Sequence, residues 1–163
     1  DQNSSPYAWT KTKNIELIRN YADWFGLRYE ILYFYNVYGP GQIKTGKMSA
    51  LIGIFETQYE NKKPLTIVKP GSQMRDFTHI DDIIEGCYKA VIKNKNKEYM
   101  LSSGKKYSIL QIAKMFKTKY EYISSRPGDR KDSIVLNNNA KKILGFKARR
   151  SISDYIKNFI NTH

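Results

Sequence analysis

The chain has 163 residues, 40% of them hydrophobic and 13% aromatic, enough for one domain with a real core and too apolar for a disordered segment. A net charge of +13 favours anionic partners, and the single Cys87 excludes an intrachain disulfide or a multi-cysteine metal site. No apolar run reaches membrane-span length and Asp1-Gln2-Asn3-Ser4-Ser5 has no signal-peptide character, so no membrane partner and a reducing, cytoplasmic setting are expected.

The first element is a helix over 6–25. Ser4 or Ser5 caps it, Pro6 suits its first position, and Gly26 suits its end. Tyr7 and Lys11 stand four apart and share a face in the first two turns. There the helix dipole and the Lys11 cation both favour the phenolate, which makes Tyr7 a candidate general base. Ile15, Ile18, Ala22 and Phe25 form one apolar stripe, and Leu17, Tyr21 and Trp24 a second. A helix apolar on two sides needs burial on both.

Residues 28–35 read as a central strand that ends in the turn chemistry of Asn36-Val37-Tyr38-Gly39-Pro40-Gly41. In open α/β sheets ligands bind beyond the carboxyl ends of strands, the position of Asn36. A helix over 48–60, a strand over 65–68 and a Pro70-Gly71-Ser72 turn follow. Arg75-Asp76-Phe77-Thr78-His79-Ile80-Asp81-Asp82 begins extended. Asp81 or a neighbour caps a helix whose inward stripe is Ile83, Ile84, Cys87, Tyr88 and Val91. His79 reads as a packed polar residue.

Residues 93–97 read as a loop and 98–101 as a strand. Ser108 caps a helix to about Lys117, 120–123 form a strand, and Ser125-Arg126-Pro127-Gly128-Asp129 a loop. Asn137 or Asn138 opens a short helix ending at Gly145, and Ser151 caps the last one, with Ile152, Tyr155, Ile156 and Phe159 inward.

Four landmarks now stand in order: Ser5-Pro6-Tyr7-x-x-x-Lys11, Tyr33-Phe34-Tyr35-Asn36-Val37-Tyr38-Gly39-Pro40, the Arg75–Asp82 run, and Arg126-Pro127-Gly128-Asp129. Together they resemble the C-terminal part of an extended short-chain dehydrogenase/reductase. More narrowly the chain resembles the NAD-dependent nucleotide-sugar epimerase/dehydratase family, UDP-glucose 4-epimerase-like members above all, from Ser5 to about Phe159.

The resemblance implies an α/β chain: the C-terminal part of a Rossmann-type dehydrogenase/reductase, with some Rossmann strand–helix elements and a small substrate-binding domain. Residues 1–42 would belong to the NAD-binding domain and 43–163 mainly to the substrate domain. Tyr7 resembles the family's acid/base, and Lys11 the residue on the nicotinamide ribose. Phe34 takes a place where relatives often have a Tyr near the nicotinamide. Asn36 resembles the amide on the substrate phosphate, Arg75 and Arg126 the guanidinium pair on the diphosphate, and Asp129 the carboxylate on the ribose. The strand with Thr66 and Val68 resembles the one that flanks the base.

The implied cofactor is NAD and the implied partner a nucleotide-diphosphate sugar. The implied reaction is 4-epimerisation through a keto-sugar, with 4,6-dehydration as the alternative. No glycine-rich phosphate turn and no Ser/Thr at family spacing upstream of Tyr7 are present, so the NAD site is incomplete here. The chain is therefore expected to be roughly the C-terminal half of an enzyme. Tyr33, where many members have Arg, and Lys69-Pro70-Gly71, in place of a Gly-Asp-Gly turn, leave the base open. A homodimer through the Leu17–Tyr21–Trp24 stripe is expected. A basic nucleic-acid module is the competing class, but the aromatics follow core periodicity and no helix carries a clustered basic face, so nucleic acid is not an expected partner.

Overall fold

Ser5 opens the first helix, α1 (Pro6–Phe25), by accepting the Ala8 amide on its hydroxyl at 3.1 Å, and Gly26 closes it at φ 67 with its amide on Ala22 O. These cap positions match the sequence reading. The structure, a computed structural model, describes residues 5–46, 48–124 and 138–163. It contains α1, β1 (Ile31–Phe34), β2 (Val37–Tyr38), α2 (Leu51–Glu60), β3 (Leu65–Val68), β4 (Met74–Asp76), β5 (Thr78–His79), α3 (Ile80–Lys93), β6 (Glu98–Leu101), β7 (Lys106–Ser108), α4 (Ile109–Met115), β8 (Tyr120–Ile123), α5 (Asn139–Leu144) and α6 (Ile152–Thr162).

The strands form two-stranded ladders. β1 pairs in parallel with β6, Ile31 opposite Glu98; β2 with β5, Val37 opposite Thr78; β3 with β8, Leu65 opposite Tyr120. β4 pairs with β7 antiparallel, Met74 opposite Ser108. Parallel pairs need crossovers, and helices supply them here, which fits the α/β class.

Among the described residues two apolar cores result. One gathers Tyr38, Ile52, Phe55, Leu65, Phe116 and Ile156 between α2, β3, α4 and α6. The other packs Ile83, Ala90, Tyr99, Leu101, Leu144 and Phe146 between β6, α3 and α5.

Several expectations are corrected. The strand expected over 28–35 is shorter, Ile31–Phe34, and among the described residues it pairs with β6 alone, so it is not central within this chain. The helix expected from Met48 begins at Leu51. The Asn36–Gly41 loop includes β2, and β7 was not anticipated. Both short strands exist through a distant partner, which local pattern does not announce.

Among the described residues Ala8 alone of α1 is fully buried; Ile15, Ile18 and Ala22 of the first stripe are half-buried and its Phe25 is 72% exposed, while the Leu17–Tyr21–Trp24 stripe is exposed, Trp24 at 64%. On α3 the buried face is Asp82, Ile83, Gly86 and Ala90, while Ile84, Tyr88 and Val91 face solvent. Small residues win that face because α3 lies so close to β6 that a Cβ on Gly86 would sit 2.7 Å from the Leu101 methyls. His79, not Asp81, caps α3: its Nδ1 accepts the Asp81 amide at 3.2 Å, and Asp81 and Asp82 occupy the first turn. Ser151 holds the N-cap of α6, but its hydroxyl meets Ser153 Oγ at 2.6 Å instead of capping.

Candidate functional site

The first two turns of α1 bring Tyr7 and Lys11 together. The Lys11 ammonium lies 5.5 Å from the centroid of the Tyr7 ring. Tyr7 is 69% exposed, so both groups stand on an open face that a ligand can reach. Phe34, also exposed, ends β1.

Two residues on, Asn36 adopts φ 30, a conformation that Asn tolerates better than most side chains. Its Nδ2 donates to Asp76 O at 2.7 Å. The exit of β1 is thus fastened to the end of β4, and Asn36 is brought beside the residue that follows Arg75. The Arg75 guanidinium donates to Met74 O at 2.9 Å.

Asp76 anchors the same corner from beneath. It is fully buried, and its carboxylate accepts from Ser102 Oγ at 2.7 Å, Ser103 N at 2.9 Å, Ser103 Oγ at 2.8 Å and Gly104 N at 2.8 Å. Thr78 Oγ1 adds a longer bond at 3.2 Å. A buried carboxylate needs this density of donors. One acid therefore ties β4 to the turn after β6 and steadies both Asn36 and Arg75.

Beyond Asn36 the chain passes Gly39, which no other residue could replace in this shape. Its φ is 142, and a Cβ there would meet Ile80 Cγ2 at 2.6 Å. Val37, Gly39, Gln42, Ile43, Met48 and Ile80 are among the walls of a cavity of about 280 Å³ that opens along this loop.

On β3, the Thr66 amide donates to Gln58 Oε1 at 3.1 Å and its Oγ1 accepts from Gln58 Nε2 at 2.8 Å, so α2 already engages both groups. Val68 is half-buried and lies opposite Ile123 of β8. Arg126 and Asp129 lie outside the described residues.

Sequence reasoning did not pick out the two buried acids of the Arg75–Asp82 run. Asp82 accepts from the Arg149 and Arg150 amides at 3.1 and 3.0 Å and pairs with Arg150 Nη1 at 2.7 Å, which fixes the chain entering α6. For Asp76 the available signal was an acid inside an extended run; Asp82 lies in the first turn of α3, where an acid is ordinary and gave no signal. His79 is buried as expected. Burial holds its imidazole below the usual range, with Asp81 pulling it up and Arg150 pushing it down. Among the described residues no helix is long and apolar enough to cross a membrane.

The fold recurs in solved structures. A UDP-glucose 4-epimerase from Thermotoga maritima, solved with UDP-glucose, superposes with a TM-score of 0.89 at 26% identity over 96% of this chain and 52% of its own. A UDP-glucuronic acid 4-epimerase from Bacillus cereus, in complex with UDP-glucuronic acid and NAD, gives 0.85 at 29% identity over 98% and 53%. A dTDP-glucose 4,6-dehydratase from Streptomyces venezuelae shares the fold, with a TM-score of 0.85 at 20% identity. Among curated proteins, a UDP-glucuronate 4-epimerase from Thermodesulfobacterium geofontis is 34% identical over 96% of this chain and 50% of its own length. The chain spans about half the length of the curated relatives it matches. The model of the NAD dependent epimerase/dehydratase family matches residues 1–109, and the chain belongs to that family.

Proposed function

We propose that this chain supplies the catalytic tyrosine and most of the substrate-binding part of an NAD-dependent nucleotide-sugar 4-epimerase. The observation that carries the reading is the Tyr7–Lys11 pair, joined on one open face of α1. Relatives named as 4-epimerases of UDP-glucose and UDP-glucuronate support epimerisation over dehydration.

Tyr7 and Lys11 fit the nicotinamide end of NAD, because a phenol and an ammonium that share an open face can both reach a ribose hydroxyl, and the exposed Phe34 ring offers an apolar surface. NAD, when bound, would supply the hydride acceptor and donor for C4 of the sugar. The Tyr7 oxygen accepts the C4 hydroxyl proton as the C4–H bonding pair departs and the C4 carbonyl forms. On the reverse transfer, to the other face of the carbonyl, Tyr7 would return that proton to the C4 oxygen and leave the C4 epimer. Asn36 and Arg75, with Arg126, hold the diphosphate, Asp129 the ribose, and the strand of Thr66 and Val68 flanks the base. Arg suits the diphosphate because its planar fork matches phosphate oxygens.

In this reading residues 1–42 belong with the NAD-binding domain and 43–163 mainly with the substrate domain. The bare Leu17–Tyr21–Trp24 stripe of α1 supports a homodimer, in which paired copies of the helix would cover it isologously. The test is to incubate the full-length enzyme with NAD and UDP-glucose or UDP-glucuronate and follow C4 configuration by proton NMR. Appearance of the C4 epimer supports the proposal; a dehydrated keto-sugar, or no change with either substrate, overturns it.

A further inference from the structure

The loop from Gly39 to Gly46 carries a polar chain with no part in the chemistry above. Gln42 Nε2 donates to the Tyr155 hydroxyl at 3.3 Å, and Tyr155 donates to Glu56 Oε1 at 2.7 Å. The other oxygen of Glu56 faces Lys44 Nζ at 3.3 Å. Lys44 also reaches Glu60 at 2.7 Å and lies 5.3 Å from the centre of the Phe159 ring. Glu56 is 1% exposed, so its charge is balanced by these partners and not by water.

The backbone closes on α2 at the same place. Thr57 Oγ1 donates to Lys44 O at 3.0 Å. A Cβ on Gly53 would meet Ile43 O at 2.5 Å, so the loop lies directly on the helix backbone. Burial first, and then the bond to Glu56, push the Tyr155 phenol up, so it keeps its proton and stays a donor. Gln42 and Ile43 are at once members of this clamp and walls of the cavity beside Asn36.

We propose that Tyr155 and Glu56 are positioning residues: they clamp the 39–46 loop to α2 and α6, and so give the cavity the shape that receives the nucleotide sugar. The proposal rests on the reading of the chain as part of a nucleotide-sugar enzyme. Both residues act through Gln42 and Lys44, and neither touches the Tyr7–Lys11 pair. Removing the Tyr155 hydroxyl takes a partner from Gln42 Nε2 and from the buried Glu56 Oε1. Among the described residues Gln42 Oε1 has no partner, so its amide has no second anchor there. Glu56→Gln is milder: it keeps an acceptor for Tyr155, and although its NH2 then replaces the acceptor facing Lys44, the ammonium still has Glu60.

The experiment uses the full-length enzyme with NAD, and UDP-glucose and UDP-glucuronate as probes. Steady-state kinetics of Tyr155→Phe and Glu56→Gln are paired with amide hydrogen exchange over 39–46 in the absence of substrate. Tyr155→Phe should raise KM about tenfold with kcat within about twofold, and Glu56→Gln should raise KM about threefold, the pattern of lost substrate binding and not of lost chemistry. Exchange over 39–46 should quicken in Tyr155→Phe. A folded Tyr155→Phe enzyme with parental KM, or with lowered kcat at parental KM, overturns the proposal. If Tyr155→Phe does not fold, Glu56→Gln decides by the same split. If the parent turns over neither sugar, the functional reading fails by itself. The exchange data still judge the clamp: quickened exchange supports it, and unchanged exchange overturns it.

Discussion

Asp76→Asn tests whether one buried acid organises the corner that holds Asn36 and Arg75. The substitution keeps the shape of the side chain and turns one acceptor oxygen into an NH2 donor. The amide would keep its oxygen towards Ser103, whose amide and hydroxyl both donate to Asp76 Oδ1. Its NH2 would then face the donors at Oδ2, Ser102 Oγ at 2.7 Å and Gly104 N at 2.8 Å. Ser102 can reverse its role and accept. The Gly104 amide cannot, and keeps only Ser102 Oγ at 3.0 Å. Each hydrogen bond to a charged group contributes about 1.5–3 kcal/mol, so with partial rescue by Ser102 the loss is about 2–4 kcal/mol. For a chain of this length that lowers Tm by roughly 4–16 °C. Urea denaturation at pH 7 measures the loss, and amide exchange at Ser103 and Gly104 locates it. A loss under about 0.5 kcal/mol, the level of an ordinary surface change, would refute the reasoning.

Two further outcomes follow from the same neighbourhood. Burial lowers the folded-state pKa of His79, so between that value and the unfolded one, about 6.5, the unfolded chain binds more protons. The His79 contribution is therefore complete above about pH 6.5 and is lost as pH falls through the window. Urea midpoints at pH 7.5 and 5.5 should fall less in His79→Asn, which can still cap α3, and an equal fall in both proteins contradicts the assignment. Gly39→Ala combines a φ of 142 with a contact at 2.6 Å, and should destabilise by about 2–4 kcal/mol in the same assay; a change within about 0.5 kcal/mol would show that the loop relaxes freely.

What could be read without coordinates was whatever local chemistry decides. α1 carries its own cap, proline and terminal glycine, and its limits in the structure, Pro6–Phe25, are those read from the sequence. β3, β6 and β8 are short apolar or aromatic runs between polar punctuation, and each spans the residues anticipated. β7 is Lys-Tyr-Ser and is a strand only because β4 lies beside it. The face of α3 was misjudged because hydrophobicity favours Ile84 and Tyr88, whereas close approach to Leu101 selects Gly86 and Ala90. Of the candidate site, the Tyr7–Lys11 pair was legible because helical spacing alone makes it. The link from Asn36 to the Arg75–Asp76 strand spans forty positions, and one tertiary hydrogen bond creates it. The burial of Asp76 and Asp82 depends on donors from Ser102–Gly104 and from Arg149 and Arg150, which no single stretch contains.

In the proposed function Tyr7 moves the proton of a nucleotide-sugar epimerisation. Tyr7→Phe removes one oxygen from an exposed side chain, so it leaves both apolar cores and the cavity untouched. The measurement is turnover of UDP-glucose or UDP-glucuronate by the full-length Tyr7→Phe enzyme, together with the affinity for the same substrate. In Tyr7→Phe kcat should fall by at least about a hundredfold, in the range expected for loss of a general acid/base, while affinity stays within about threefold. Parental kcat in the Tyr7→Phe enzyme would contradict that role.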